Sequence, residues 1–163
     1  MKKSLALTML LPVIILFYSC NESTLEPDTQ FVQIFLKYWF KNELNTFNNT
    51  YQKDLVLDGT ITVPFWLTTD EQNRILSKAN EVNFFSLPDT LERDTTFTFD
   101  PNPGYQTIRI KFEGNDNIVQ WIEPLDYNDP SVNKTLELYE YIISIIEAKP
   151  EYKNLPPHRG GYN

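Results

Sequence analysis

Cysteine and histidine are almost missing from this chain: its 163 residues include one of each, Cys20 and His158. A single cysteine excludes an internal disulfide, so the fold must be held by its hydrophobic core. The two residues together cannot supply the ligands of a structural zinc site. A Cys/His pair or a Ser/His/Asp triad would need His158, which lies in an irregular stretch rich in Pro and Gly. We therefore expect no zinc, no cofactor and no histidine-assisted nucleophile.

Glycine and positive charge are also scarce. The five glycines are scattered or lie in turn-like sequence, and no Gly-rich phosphate loop is present. Lys and Arg number 14 against 22 Asp and Glu, which gives a net charge of −8. Binding of nucleic acid requires a basic surface, and so does electrostatic adhesion to anionic lipid. The composition argues against both kinds of partner.

The chain opens with the order of a secretory signal peptide. Lys2 and Lys3 precede an uncharged apolar run over residues 5–17. A membrane span needs about 20 apolar residues, and Pro12 interrupts this shorter run. A cleaved leader is therefore predicted over residues 1–19, and its loss changes the net charge from −8 to −10 because it removes two lysines and no acid.

The end of the leader, Phe17-Tyr18-Ser19-Cys20, resembles the lipobox of bacterial lipoproteins, although Phe17 stands where the common pattern has Leu. In that family the cysteine thiol receives a diacylglyceryl group, cleavage occurs directly before it, and the new amino terminus is acylated. The resemblance implies that Cys20 carries acyl chains, palmitate among them, and that the protein is exported and anchored to a bacterial membrane in the cell envelope. Two or more such chains hold a protein stably on a bilayer. The alternative is that Cys20 is a buried free thiol.

Beyond Cys20 the sequence predicts one domain of the α+β class. A flexible tether is expected over residues 20–30, the domain over residues 31–149, and an irregular C-terminal tail over residues 150–163. Apolar residues with a period of two predict strands, and a period of 3.6 predicts helices. The predicted order is strand, hairpin, helix, hairpin, helix. This order indicates a single antiparallel sheet of about five strands, including two hairpins, with two helices packed on one face.

Local signals set the predicted element boundaries. Residues 31–40 alternate and predict a strand, with a helix as the competing interpretation, and a further short strand is expected at residues 95–99. Asp58-Gly59 predicts a type I′ hairpin turn, with Leu55 and Leu57 facing one side before it. Residues 113–117 are expected to join the second hairpin. The helix starts are predicted from two possible capping boxes and from Asp-Pro chemistry, at Thr68 with Glu71 or Thr69 with Gln72, and at Asp129-Pro130.

Three stretches of the mature chain are NELNTFNNTYQKDLVLDGTITV, LTTDEQNRILSKANEVNFFSLPD and the closing KPEYKNLP…GGY. Together they resemble a group of small exported bacterial proteins of unknown function, many of them predicted lipoproteins. The resemblance implies export and a similar order of elements. The group has no assigned activity or catalytic residue, so no functional residue follows from it.

The amide-rich segment, residues 42–54, is the candidate recognition patch of the sequence. Binding residues are often found in loops that a rigid sheet holds in place. Turn residues that bond their own backbone are the alternative explanation for this composition. The candidate ligand-binding residues are Asn45, Thr46, Asn48, Asn49 and Lys53.

Three other sets of residues could carry chemistry. Glycoside hydrolysis needs two carboxylates, and the distance between them decides the mechanism. The candidates for such a pair are Asp54, Asp58, Asp89, Glu92 and Asp94. Tryptophans could stack on a sugar or peptide, or could fill the core; they are Trp39, Trp66 and Trp121. The loop that contains Asp126, Asn128 and Asp129 could bind Ca²⁺ through their oxygen atoms or could simply cap the helix that follows.

These observations favour a membrane-anchored, non-enzymatic binding or envelope-structural module whose partner is an envelope protein or glycan. The alternative is a carboxylate-dependent hydrolase of envelope polymers or glycans. The first hypothesis predicts a shallow surface with no cleft in which pKa values are perturbed. The second predicts a concave pocket with two acids, at least one of them desolvated.

Overall fold

A computed structural model describes residues 31–96 and 98–162. Its six strands form one antiparallel sheet with the order β4-β3-β2-β1-β5-β6. The strands are β1 Gln33–Tyr38, β2 Asn42–Asn45, β3 Thr50–Val56, β4 Gly59–Pro64, β5 Gln106–Phe112 and β6 Asn115–Trp121. The helices are α1 Thr69–Glu81, α2 Pro130–Ala148 and α3 Pro150–Lys153, with a 3-10 turn at Phe84–Ser86. The predicted α+β class with one antiparallel sheet is confirmed, with six strands instead of about five and three helices instead of two. Cys20, the leader and the tether lie outside the described residues.

Strand β1 lies inside the sheet, between β2 and β5, and its alternation explains its position. Ile34 and Leu36 are fully buried, whereas Phe35 between them is only half-buried on the other face. Leu36 is paired with Leu44 of β2 on one side and with Ile108 of β5 on the other. Branched apolar side chains side by side on three strands stabilise the sheet. The strand interpretation of residues 31–40 is therefore correct, and the helix is excluded.

Helices α1 and α2 share one hydrophobic core with the inward face of the sheet. Helix α1 starts at a capping box in which the Thr68 hydroxyl accepts from the Glu71 N–H and the Glu71 carboxylate accepts from the Thr68 N–H. Asp129 caps α2, and Pro130 occupies its first turn. Both starts were predicted, because caps depend on residues that are adjacent in the sequence. No helix in residues 31–96 or 98–162 is long and apolar enough to cross a membrane.

The amide-rich segment contains a strand that its composition does not signal. Asn42–Asn45 forms β2, in which only Leu44 is fully buried. Hydrogen-bond ladders to β1 and β3 on both sides hold this segment extended, because tertiary pairing overrides weak local propensity. The turn that the amides predict is confined to the residues between β2 and β3, where Asn49 has a φ of 54°.

Both hairpin turns differ from their predicted register. Val56 pairs with Gly59, and the ladder shifts between Asp54 and Val56, so Leu57 and Asp58 are the central residues of the first turn. The prediction that Leu55 and Leu57 face the same side is wrong, because this bulge leaves Leu57 exposed while Leu55 is buried.

The second hairpin has a two-residue turn instead of the expected five residues. Phe112 pairs with Asn115, which leaves Glu113 and Gly114 as the central residues. Both have positive φ, at 50° and 84°. This is the backbone that a type I′ turn requires, and it matches the twist of the flanking strands.

The segment between the 3-10 turn and β5 runs beside the outer edge of β6. The Leu91 N–H donates to the Gln120 carbonyl (3.1 Å), and the Gln120 N–H donates to the Asp89 carbonyl (2.9 Å). The strand expected at residues 95–99 is not formed among the described residues of that range. The segment instead covers part of an edge that would otherwise present unpaired backbone groups.

Candidate functional site

A cavity of about 560 Å³ lies where the β1–β2 turn, α2, the loop before β5 and the C-terminal tail meet. We call it the aromatic groove because six rings line it: Trp39, Phe40, Phe99, Tyr127, Tyr139 and Tyr162. Its volume lies within the range of about 300–1,000 Å³ that is typical of small-ligand sites. The groove is larger than two other cavities of the described residues, which measure about 330 and 350 Å³.

The β1–β2 turn presents Trp39 to the groove. Trp39 and Phe40 have φ values of 41° and 60°, a region that bulky residues seldom adopt. Hydrogen bonds hold this turn: the Trp39 carbonyl accepts from the Lys41 N–H (2.8 Å) and from the Asn42 amide (3.1 Å). The Trp39 side chain is not needed for these bonds and remains 60% exposed. Backbone strain of this kind is often found at binding sites.

Gln106 connects three parts of the groove. Its side-chain oxygen accepts from the Trp39 N–H (2.8 Å) and from the Tyr139 hydroxyl (3.4 Å). Its side-chain nitrogen donates to the Gly104 carbonyl (3.2 Å). The amide is buried, and every partner comes from a different segment of the chain. Gln106 therefore fixes the turn, the loop and α2 relative to one another.

Tyr162 closes one side of the groove from the C-terminal tail. Its ring stacks on Phe40, with centroids 3.7 Å apart and planes at 17°. Its hydroxyl donates to Asp54 Oδ2 (2.6 Å). This hydrogen bond, burial and the negative charge of Asp54 raise the pKa of Tyr162 to about 12. The phenol is therefore protonated at neutral pH and keeps the tail in contact with β3.

The tail before Tyr162 is held on the first hairpin. Arg159 makes a two-pronged ion pair with Asp58, and its backbone exchanges hydrogen bonds with Leu55 and Leu57. Gly160 has a φ of 80°, and an added Cβ would lie 2.8 Å from Leu57 Cδ1. Residues 150–163 were predicted to be irregular, but the described part of this range begins with α3, and these contacts fix its later residues.

The groove carries negative charge. Its acids are Asp100, Glu123 and Glu140, and no Lys, Arg or His is found among the described residues that line it. Burial, followed by the charges of Glu123 and Glu140, raises the pKa of the Tyr139 phenol well above its ordinary value. Burial and Glu123, which accepts from the Tyr127 hydroxyl at 3.4 Å, raise the pKa of Tyr127 in the same direction. The negative potential thus extends from the acids to the rings.

A second cavity of about 330 Å³ shares Trp39, Phe40 and Tyr162 with the aromatic groove. Its charged lining is mixed, with Lys53, Asp54, Glu147 and His158. Lys53 Nζ lies 4.7 Å from the centroid of the Tyr152 ring. Tyr162 therefore stands between an acidic cavity and one that contains basic groups.

The five candidate residues of the amide-rich segment do not form one site, because four of them lie in or next to the turn between β2 and β3 and Lys53 lies further along β3. The Thr46 hydroxyl accepts from the Ile34 N–H (2.7 Å) and donates to the Ile34 carbonyl (3.2 Å). The Asn48 N–H donates to the Asn45 carbonyl, the Asn49 carbonyl accepts from the Phe65 N–H, and Lys53 lines the second cavity. These contacts favour the explanation that the turn satisfies its own backbone. Asn45 Oδ1 is buried without a hydrogen-bond partner among the described residues, and a binding role for this patch stays a prediction.

The other candidates also have identifiable places. Asp54 and Asp58 bind the tail, and Asp94 accepts from Thr96. Asp126 accepts from the Asn128 backbone and amide, and Asp129 caps α2. In residues 31–96 and 98–162 no group of three or more His, Cys, Asp and Glu could hold a metal ion. Asp89 and Glu92 lie in the segment beside β6.

The three tryptophans do not form one platform. Trp39 lines the aromatic groove, whereas Trp66 is exposed elsewhere on the surface. Trp121 is buried in the core, where its ring meets Tyr139 edge-on at 5.2 Å. Only Trp39 is thus placed for recognition in the groove.

The groove acids and Gln106 were missed from the sequence. Their spacing follows no motif, because the β1–β5 pairing and the position of α2 bring them together. Comparisons with known proteins found no matching family model, no matching curated protein and no matching solved structure.

Proposed function

We propose that the protein is a lipid-anchored, non-enzymatic binding module of the bacterial cell envelope, and that the aromatic groove is its recognition site. The observation that carries this proposal is an open cavity of ligand size with aromatic walls. Trp39, Phe99 and Tyr127 belong to the most exposed large apolar side chains among the described residues. Exposed aromatic rings are typical anchors of protein interfaces and of sugar-stacking sites. An envelope protein or glycan is therefore the partner class.

A carboxylate-dependent hydrolase is the second candidate. The groove departs from the shallow surface expected of a binding module, and it matches the concave pocket with acids expected of a hydrolase, although none of its three acids is fully buried. A general acid normally needs a desolvated environment that shifts its pKa. Asp100 and Glu140 are exposed, and Glu123 is only half-buried. This exposure favours binding over catalysis. A hydrolase would release reducing ends from envelope glycans and would lose that activity in Glu123→Gln.

Site-specific photocrosslinking tests the recognition site. The full chain, expressed in a bacterial envelope, would carry a photoreactive amino acid in place of Trp39 or, as a matched control, in place of Trp66. The two side chains are 60% and 59% exposed, so accessibility alone predicts equal labelling. We expect a discrete adduct from position 39 that is missing from position 66. Identical adducts from the two positions would contradict the proposal.

The anchor is tested separately. Cys20→Ser removes the thiol that would receive the diacylglyceryl group, so we expect loss of labelling by a fatty-acid analogue and release of the protein from the membrane fraction. Ser23→Ala, three residues further along, should retain both labelling and membrane association. Labelling of the Cys20→Ser protein at the original level would show that the lipoprotein assignment is wrong.

A further inference from the structure

We infer that the aromatic groove binds a small organic ammonium ion, a positively charged nitrogen carried on an apolar body. The inference rests on the proposed function: an ammonium group carried by the envelope protein or glycan is what the groove would recognise, and a small organic ammonium ion is the simplest form of that group. Three properties of the lining support it: the sign of its charge, the kind of hydrogen-bonding groups that it leaves available, and the rings that surround it.

The charge of the lining is complementary to a cation. Asp100, Glu123 and Glu140 carry negative charge, and no described lining residue is basic. The pKa values of Tyr139 and Tyr127 are raised in part by these acids, which means that a negative phenolate is disfavoured beside them. The same potential stabilises a positive group. It also disfavours an anion, because no described lining residue is basic; Lys41, which is not part of the lining, places its Nζ 5.9 Å from the centroid of the Tyr162 ring.

The hydrogen-bonding groups of the lining are mostly acceptors. The hydroxyls of Tyr127, Tyr139 and Tyr162 donate to Glu123, Gln106 and Asp54 respectively. Gln106 uses its nitrogen on Gly104 and its oxygen on the Trp39 N–H. What these groups leave for a ligand is chiefly carboxylate oxygen, which only accepts, with the indole N–H of exposed Trp39 as a donor. A sugar, whose hydroxyls both donate and accept, would find more acceptors than donors here.

The rings supply the remaining attraction. A cation over the face of an aromatic ring is attracted by the ring quadrupole, and Trp is the strongest such partner. Trp39 presents an exposed indole, and Phe40 and Tyr162 are stacked beside it. A quaternary ammonium group needs no hydrogen-bond acceptor and is recognised by aromatic rings together with nearby negative charge. The groove provides both, whereas the second cavity places Lys53 and His158 in its lining.

Three probes that share a benzyl group and differ in charge test the inference: benzyltrimethylammonium, benzyl alcohol and phenylacetate. Each would be titrated by calorimetry into the full chain in nonionic detergent, with empty micelles as the blank. We expect the cation to bind about tenfold more tightly than the alcohol, and phenylacetate not to bind. Glu123→Gln and Glu140→Gln should each weaken the cation about fivefold and leave the alcohol unchanged. Glu137→Gln, one turn earlier on α2 and outside the groove, is the matched control and should change neither.

The Trp39→Ala variant tests the cation inference and the assignment of the groove as the recognition site separately. The Trp39 side chain is largely exposed, and the turn is held through the Trp39 backbone N–H and carbonyl. Circular dichroism of the variant should therefore show a folded domain. If the wild type binds all three probes equally and Trp39→Ala binds none of them, the cation inference is overturned, while the groove remains the recognition site. Binding of the probes that persists in Trp39→Ala would contradict the inference and the groove together. Loss of cation binding in Glu137→Gln to the same extent as in Glu140→Gln would also contradict the inference.

Discussion

Raising the pH above about 10 is expected to unfold the domain, because three tyrosines are buried in its core. Tyr38, Tyr51 and Tyr139 are almost inaccessible to solvent. The hydroxyls of Tyr38 and Tyr51 form a hydrogen bond of 2.6 Å with each other. Burial is the largest cause that raises the pKa of all three phenols, and for Tyr51 it outweighs the opposing effect of the bond to Tyr38.

The direction of the effect follows from proton binding. In the unfolded chain a phenol ionises near pH 10, whereas in the folded domain these three keep their protons. Above that pH the unfolded state therefore binds fewer protons, and the free energy of unfolding falls. The stabilisation is fully present below about pH 10 and is lost as the pH rises. Each buried phenol contributes a slope of about 1.4 kcal/mol per pH unit, so the three together give about 4 kcal/mol per unit.

Urea denaturation at a series of alkaline pH values, followed by circular dichroism, measures this slope. Tyr139→Phe removes one of the three buried phenols and should reduce the slope by about 1.4 kcal/mol per pH unit. Tyr105→Phe is the control, because its ring is exposed; the slope should not change. Tyrosinate absorbance should rise together with unfolding. Ionisation of all tyrosines in a domain that stays folded would disprove the expectation.

The second large effect is expected from Lys149→Met, which removes the partner of a buried carboxylate. Lys149 Nζ lies 2.8 and 3.0 Å from the two oxygens of Glu71. The two side chains are only 7% and 14% exposed. Burial by itself would raise the pKa of Glu71. The hydrogen bonds and charge of Lys149, together with the hydrogen bond from the Thr68 N–H, outweigh burial, so the pKa of Glu71 is lowered. An unpaired buried charge costs about 3 kcal/mol of the free energy of unfolding.

Thermal and urea unfolding of Lys149→Met measure the loss. Arg74→Met is the control on α1, the helix that carries Glu71, because the Arg74–Asp70 pair is 51% and 80% exposed and should contribute less than about 1 kcal/mol. Adding Glu71→Gln to Lys149→Met should restore part of the stability.

The pH dependence gives an independent check of the same pair. In the wild type, ionised Glu71 contributes stability that is present above its unfolded pKa and lost as the pH falls through its lower folded pKa. The difference between wild type and Lys149→Met should therefore narrow at acid pH. Equal losses in Lys149→Met and Arg74→Met at neutral pH would contradict the argument.

The parts of the fold that the sequence predicts are those that depend on neighbours in the chain. The alternation around Ile34 and Leu36, the capping box of Thr68 and the Asp129 cap are all local signals, and all are confirmed. Strand β2 could not be predicted, because its extended conformation depends on the ladders of β1 and β3. The hairpin registers are set by a bulge and by pairing across the sheet, which residue types alone do not reveal.

The aromatic groove was beyond sequence reasoning for a related reason. The Trp39 N–H and the Gln106 side chain are 67 residues apart in the chain, yet they are 2.8 Å apart in space. Tyr162 reaches Asp54 across 108 residues. No period or motif marks such pairs. The three tryptophans illustrate the limit, since the same residue type is found in the groove, on the open surface and in the core.

Strand β1 separates the beginning of the described chain from the aromatic groove. The described chain begins at Phe31 and enters the sheet at Gln33, and Trp39 lies directly beyond the far end of β1. The six residues of this strand span about 20 Å. With Cys20 acylated, the bilayer would be joined to the domain at one end of the strand and the groove would open near the other. Under the proposed anchoring, β1 would therefore place its own length between the groove and the end of the domain that the tether joins.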